Sequence, residues 1–200
     1  SFSATNIYLG PTTLSAITFN FLLSLSGGFL AGFLISRGDP FWTYSCALAG
    51  VISASAGNDL YHPLQAMLIG AAGATIAYKL HYWVENRFKI DDGVGAVAVH
   101  GYAGCFGVII AGFVLWGYPA SPNPDYAVIT PWGQIAGAFI MFFVLGFLPA
   151  FIVASLMKKF GVLRIPEAIE IKGLDVGQEI AAELAAKEMS DAERAYQGAN

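Results

Sequence analysis

Few side chains in this 200-residue sequence are suited to chemistry, and they lie far apart. His100 is the only residue with a readily ionised side chain of the His, Asp, Glu, Lys or Arg type between Gly93 and Gly117. A helix starting at Gly93 would carry it about 10 Å from that start, at ~1.5 Å per residue. A charged imidazolium is costly in apolar surroundings, so a neutral ring is expected there, with one nitrogen donating and the other accepting. Two roles fit such a ring: a functional group, or a core histidine satisfied by a carbonyl of a neighbouring helix. Gly101, Gly104 and Gly107 follow at i, i+3 and i+6 spacing and leave one helix face bare, which suits either close helix packing or a narrow pore wall. Asp91-Asp92 looks like a metal or nucleophile pair, but carboxylates at a helix start serve its free N–H groups and its dipole, so both are expected as helix caps. Ser45, Ser53 and Ser55 read as packing hydroxyls or ligand contacts, and Cys46 and Cys105 as small packing residues within apolar runs. His62, His81 and His100 fall at three different depths, so no metal-ligand set forms, and no glycine-rich phosphate loop follows a strand. No enzyme motif, metal or cofactor is expected.

The elements that carry these residues are set by composition. Hydrophobic residues make up 56% of the chain and charged ones 12%, about half the share of an average globular protein. The mean hydropathy is +0.60. No Asp, Glu, Lys or Arg occurs before Arg37, between Asp92 and Asp125, or between Asp125 and Lys158. Each gap exceeds the ~20 residues needed to cross a hydrocarbon core. A soluble domain, a secreted disulfide scaffold and a disordered chain are thereby excluded, and an all-α polytopic transmembrane bundle is expected. Five spans are placed at about 14–35, 41–57, 63–84, 93–117 and 130–157. The Gly38-Asp39-Pro40 triplet ends the first span and caps the second. Asn58-Asp59 and His62-Pro63 make the following turn, with Asp59 and His62 expected as solvated loop residues on the non-cytoplasmic side. Lys79 and His81 are expected to snorkel towards an interface, and Pro149 is expected to bend the last span.

All ten basic residues fall on the side reached after spans one and three and after the fifth, whereas residues 1–13, 58–62 and 118–129 have none. The positive-inside rule then puts the N-terminal segment 1–13 outside and the tail 158–200 in the cytoplasm. That tail has six basic and eight acidic residues, and Gln178–Tyr196 has helix-forming composition with Glu183 and Lys187 at i, i+4. It reads as a solvated helix or as a docking segment for a cytosolic regulator. The net charge of −4 and the lack of a basic stripe exclude a nucleic-acid partner.

Three stretches resemble the ammonium transporter, methylammonium permease and Rhesus family. Lys89-Ile90-Asp91-Asp92-Gly93 through Val97-Ala98-Val99-His100-Gly101-Tyr102-Ala103-Gly104 is similar to the family's basic residue, paired Asp and V-x-V-H-G-x-x-G. Ser45-Cys46-Ala47-Leu48-Ala49-Gly50-Val51 resembles its small-residue helix. Gly161-Val162-Leu163-Arg164-Ile165, then Gly173-Leu174-Asp175, resembles its cytoplasmic end, after which Val176-Gly177-Gln178-Glu179 departs from the family's H-G-E stretch. The resemblance covers about residues 13–176 and implies the last five of the family's eleven spans. By the same resemblance His100 corresponds to the second histidine of a paired-histidine pore, and Ser45 and Ser55 lie on a helix with polar pore-side residues. It further implies ammonium or ammonia as substrate, a homotrimer in the cell membrane, and a PII-type regulator at the tail. An ammonium sensor signalling through its tail, and a structural subunit of a larger membrane complex, are the rival expectations.

Overall fold

The computed structural model of the chain describes residues 14–118 and 128–173, together with 186, 187 and 189. Segment 1–13 and most of the expected tail helix 178–196 lie outside the described residues. Residues 1–146 form one compact unit and residues 147–200 a second.

Helix α1 covers Leu14–Ile35. It ends where Arg37 and Gly38 turn left-handed, with the Gly38 N–H bonded to the Phe33 carbonyl at 2.8 Å. Helix α2, Pro40–Ala54, starts under an Asp39 cap whose Oδ1 accepts the Trp42 N–H at 2.8 Å. It stops three residues before the expected end at 57, because residues 55–61 form tight turns built on Gly57, whose carbonyl accepts both the Leu60 and Tyr61 N–H groups. Helix α3, Pro63–Phe88, begins at His62, which is a cap as well as an exposed turn residue: Nδ1 accepts the Leu64 N–H at 3.3 Å, and Gln65 Oε1 accepts the His62 N–H at 2.9 Å. It outruns the expected end at 84, since polar residues do not stop a helix; the left-handed Lys89, with its N–H on the Glu85 carbonyl, does.

The fourth span departs most from expectation. Helical structure starts with a π-helical turn, Val97–Tyr102, followed by α4, Ala103–Val114, rather than at Gly93. The Gly95 N–H closes a turn on the Asp92 carbonyl, and Gly95 itself has φ +66°, a left-handed conformation suited to glycine. His100 therefore lies about one turn from the helix start, not ~10 Å along it. The fifth apolar run, Pro131–Lys159, comprises α5 (Pro131–Ala138), a π-helical stretch (Phe139–Phe147) and α6 (Leu148–Lys159). The π register directly precedes Pro149, which lacks an N–H and crowds the carbonyl four residues back. Such local readjustment is how membrane helices absorb proline.

Packing in the first unit is inside-out by the standards of water-soluble proteins. The buried face of α1 is Ile17, Asn20, Ser24, Gly27, Gly28 and Gly32, mostly small or polar. Its Phe19, Leu22, Leu30, Phe33 and Leu34 are at least half exposed. Small residues inside and large apolar ones outside are the arrangement of helices packing in lipid. At the α1–α2 crossing Gly28 and Gly50 meet so closely that a Cβ on Gly28 would stand 2.9 Å from the Gly50 Cα. Among the described residues, three helices are long and apolar enough to span a membrane: Leu14–Ile35, Val97–Val114 and Pro131–Lys159. Helix α2 is too short at 15 residues, and α3 is diluted by Gln65, Lys79 and small residues.

At one end of this unit Asn20 is 4% exposed, and its Nδ2 donates to the Asn58 and Tyr61 carbonyls at 2.8 and 2.7 Å. It thereby ties the α2–α3 turn to α1. Burial pushes the Tyr61 phenol up from its ordinary value, and the Asp59 charge adds to the shift. Asn20→Ala is expected to destabilise the protein by about 2–4 kcal/mol, because two buried carbonyls lose their donor. Thermal unfolding in detergent, with Asn20→Asp as a variant that keeps the size, measures this.

The second unit contains α6 and, after a turn through Gly161 at φ +72°, α7, Glu167–Lys172. Arg164, just before α7, pairs with Glu170 of that helix on the surface.

Candidate functional site

His100 owes its direction to its neighbours on the π turn. Ala98 and Val99 are buried against Trp42, Cys46 and Ala49 of α2 and Ala74 and Ala77 of α3. With those two turned inward, His100 is left exposed on the opposite face of the turn. No hydrogen bond to its ring is formed among the described residues. The π geometry is explicit in the Ala103 N–H, which reaches back five residues to the Ala98 carbonyl. Single π turns inside membrane and soluble helices are often found at functional sites.

The three glycines after His100 do not act as one bare face. A Cβ on Gly107 would collide with the backbone of Ser53, so this is a close helix crossing. At Gly104 it would meet the Phe142 ring at 3.2 Å and Ile52 at 3.6 Å, a tighter than ordinary fit. At Gly101 it would touch only Val97 of its own turn, at 3.5 Å. A π turn holds more residues than an α turn, so the i, i+3, i+6 register drifts out of line where the sequence pattern assumed a regular helix.

The serines separate in the same way. Ser53 is fully buried, and its hydroxyl donates to the Ala49 carbonyl at 2.9 Å and to the Ala103 carbonyl at 3.1 Å, joining α2 to the start of α4. Ser55 is half-buried and donates to the Val51 carbonyl of its own helix at 2.7 Å. Ser45 is half-buried on α2. No hydrogen bond among the described residues links His100 to Ser45 or Ser55. Cys46, buried, and Cys105, half-buried, are free thiols.

Asp91 and Asp92 differ sharply. Asp92 accepts the Val97 N–H on Oδ1 at 3.2 Å and the Ala98 N–H on Oδ2 at 3.0 Å, holding the first N–H groups of the π turn. Asp91 is exposed.

Asp92 also borders a cluster that the spacing of charges did not reveal. His81 does not snorkel. Its side chain is 11% exposed and lies between Trp42, at 4.7 Å between ring centres, and Tyr82, at 5.0 Å. The Trp42 indole N–H donates to the Tyr82 hydroxyl at 2.8 Å, and Tyr78 packs edge-on against Trp42. His81 Nδ1 is 3.7 Å from Asp92 Oδ2, and Nε2 is 3.7 Å from Glu85 Oε2. A cleft of about 380 Å³ opens here between Asp39, Trp42, Glu85 and Asp91-Asp92. One sequence signal existed: Tyr78, His81, Tyr82 and Glu85 recur at i, i+3, i+4 and i+7, the spacing of a single helix face.

Comparison with known proteins places this arrangement. The profile of the Ammonium Transporter Family matches residues 3–182. The ammonium transporter Amt1 of Methanocaldococcus jannaschii is 31% identical over 163 residues, covering 81% of this chain and 40% of that protein. Amt1 of Haloferax mediterranei is 30% identical over 166 residues, 78% of this chain and 30% of its own length. An ammonium transporter of Corynebacterium glutamicum is 28% identical over 165 residues, 77% of this chain and 36% of its own. The chain thus spans about 40% or less of the length of these curated relatives. No solved structure matches it significantly. These relatives carry the names of transporters, not of enzymes. A match that runs through all three membrane-length helices and both flanks of His100 has one consequence: this integral membrane protein belongs to the ammonium transporter family.

Proposed function

We propose that this chain supplies the C-terminal five spans of an ammonium transporter, with His100 on the wall of the conducting pore. The observation that carries the reading is the exposed ring of His100, without a hydrogen bond among the described residues, on a π turn whose other side is locked into the helix core. Ammonium must shed its hydration to enter an apolar passage, and a buried cation costs several kcal/mol even after relaxation. Deprotonation at the pore mouth lets neutral ammonia cross. An imidazole that accepts with one nitrogen and donates with the other can hold ammonia in transit and relay the proton separately.

The glycines take different parts in this reading. Gly107 and Gly104 fix the helix behind the pore wall, while Gly101 keeps space beside the ring. Ser45, half-buried and with its hydroxyl not engaged in the described hydrogen bonds, is a pore-side candidate. Ser55 is a weaker one because its hydroxyl is spent on its own helix. The ten-to-zero split of basic residues supports a cytoplasmic tail and an outer N-terminal segment. A homotrimer and a PII-type regulator at the tail belong to the same proposal, by resemblance alone.

Methylammonium uptake into proteoliposomes holding the intact protein tests the reading. His100→Ala is expected to lower the uptake rate by roughly a hundredfold, the lower end of the range for losing a positioned proton-transfer group. Unchanged uptake in a folded His100→Ala protein would remove His100 from the pathway.

A further inference from the structure

We propose that His81 is a positioning residue for the turn that carries His100, and that it acts through Asp92 in a proton-dependent way. The inference rests on the pore reading above for its transport consequence, but its structural core stands apart from it. Asp92 is shared between two elements. Its carboxylate holds the Val97 and Ala98 N–H groups, and its Oδ2 lies 3.7 Å from His81 Nδ1 on α3. That nitrogen is buried and has no hydrogen-bond partner among the described residues. The ring cannot swing away, because Trp42 and Tyr82 pack against it.

The groups facing His81 come from each neighbouring element. Its own helix contributes Glu85, 3.7 Å from Nε2, along with Tyr78 and Tyr82. Helix α2 contributes Trp42, and its cap Asp39 lines the same cleft. The stretch before the π turn contributes Asp91 and Asp92. Arg37, beside Asp39, acts electrostatically on Tyr78. Carboxylates therefore outnumber the cations around the ring.

The direction of the coupling follows from geometry. At 3.7 Å the His81–Asp92 pair is too long for a hydrogen bond and close enough for strong attraction once the ring takes a proton. The positive ring then draws Asp92 towards α3. Of the two backbone bonds that Asp92 accepts, the one from Val97 is the longer at 3.2 Å, at the limit of the normal range, so it yields first. With a neutral His81 the carboxylate stays on the π turn, and His100 three residues beyond Val97 is held in place. With a charged His81 the turn loosens at its first residue.

Hydrogen exchange by mass spectrometry on a peptide spanning residues 94–102 of the intact protein in detergent tests this directly. Between roughly pH 8 and pH 5, where histidines change charge, protection corrected for the intrinsic exchange rate is expected to fall roughly three- to tenfold. That is less than the full loss of one bond to a charged group, because the Val97 bond loosens rather than disappears. His81→Gln, which stays polar without titrating, and His81→Phe, which keeps the ring packing, are both expected to flatten the profile at high protection. A wild-type profile without pH dependence, or one that persists in either folded variant, overturns the proposal. A wild-type profile that is flat across this range overturns the proposal even if neither variant folds. In proteoliposomes the same His81→Gln change is expected to flatten the pH profile of methylammonium uptake. Should His100→Ala leave uptake unchanged while the exchange result holds, the pore reading fails and the His81–Asp92 coupling remains.

Discussion

Gly28→Leu is expected to abolish recovery of folded, monodisperse protein in detergent. Gly28 sits where α1 and α2 touch backbone to backbone, facing the Cys46 carbonyl and the Cα of Gly50. Overpacking a core typically costs 1–3 kcal/mol when side chains can repack. Here the obstacles are main-chain atoms on a partner helix, so whole helices must separate and the cost is expected to exceed ~3 kcal/mol. The buried thiol of Cys46 packs in the same crossing, against Gly32. Alkylation of Cys46, followed by mass spectrometry, therefore reports opening at that point. Gly137→Ala is the contrasting change: a Cβ there meets nothing within 4 Å, and alanine is the better helix former by about 1 kcal/mol. It should be neutral or stabilising. A Gly28→Leu protein that elutes as wild type with Cys46 still protected would show that this crossing does not hold the bundle together.

The second large effect is an asymmetry between neighbours. Asp92→Ala removes the acceptor of two N–H groups at the start of the π turn, while Asp91→Ala removes an exposed carboxylate. Hydrogen bonds to charged groups contribute about 1.5–3 kcal/mol each, and loss of a helix cap costs about 0.5–2 kcal/mol. Asp92→Ala is therefore expected to destabilise the turn by about 2–4 kcal/mol, and Asp91→Ala to stay within about 0.5 kcal/mol. Local exchange at residues 97 and 98, together with the thermal midpoint, separates the two. Equal effects would mean that the paired aspartates share the cap, contrary to the geometry. Because His100 is carried on this turn, Asp92→Ala should also lower methylammonium uptake, whereas Asp91→Ala should leave the turn around His100 intact.

Much of the scaffold was legible without coordinates. Charge-free runs mark the apolar helices because a charge in the hydrocarbon core is costly, and that constraint is written residue by residue. The Asp39-Pro40 helix start was legible for a similar reason: capping depends on residues within four positions of each other. The extent of α1, Leu14–Ile35, agrees with its apolar run. Local signals also located His100 as the residue to watch, since a lone ionisable group in an apolar run stands out in one dimension.

What local signals did not supply was direction and partnership. The start of the fourth helix moved to Val97 because Gly95 turns left-handed and the Asp92 carboxylate is drawn to two N–H groups ahead of it. The π register then broke the alignment of Gly101, Gly104 and Gly107, which a pattern based on a regular helix had treated as one face. His81 illustrates the rest. By sequence it is a polar residue near a span end, and polar residues there usually reach for water. Trp42, 39 positions earlier, closes over it, and Asp92 arrives from the following loop. Composition and short-range spacing by themselves determined that this chain is a bundle of membrane helices with a histidine in an apolar run. Only the tertiary structure decided which way that histidine faces and what holds it, because both depend on contacts between residues that are distant in the chain.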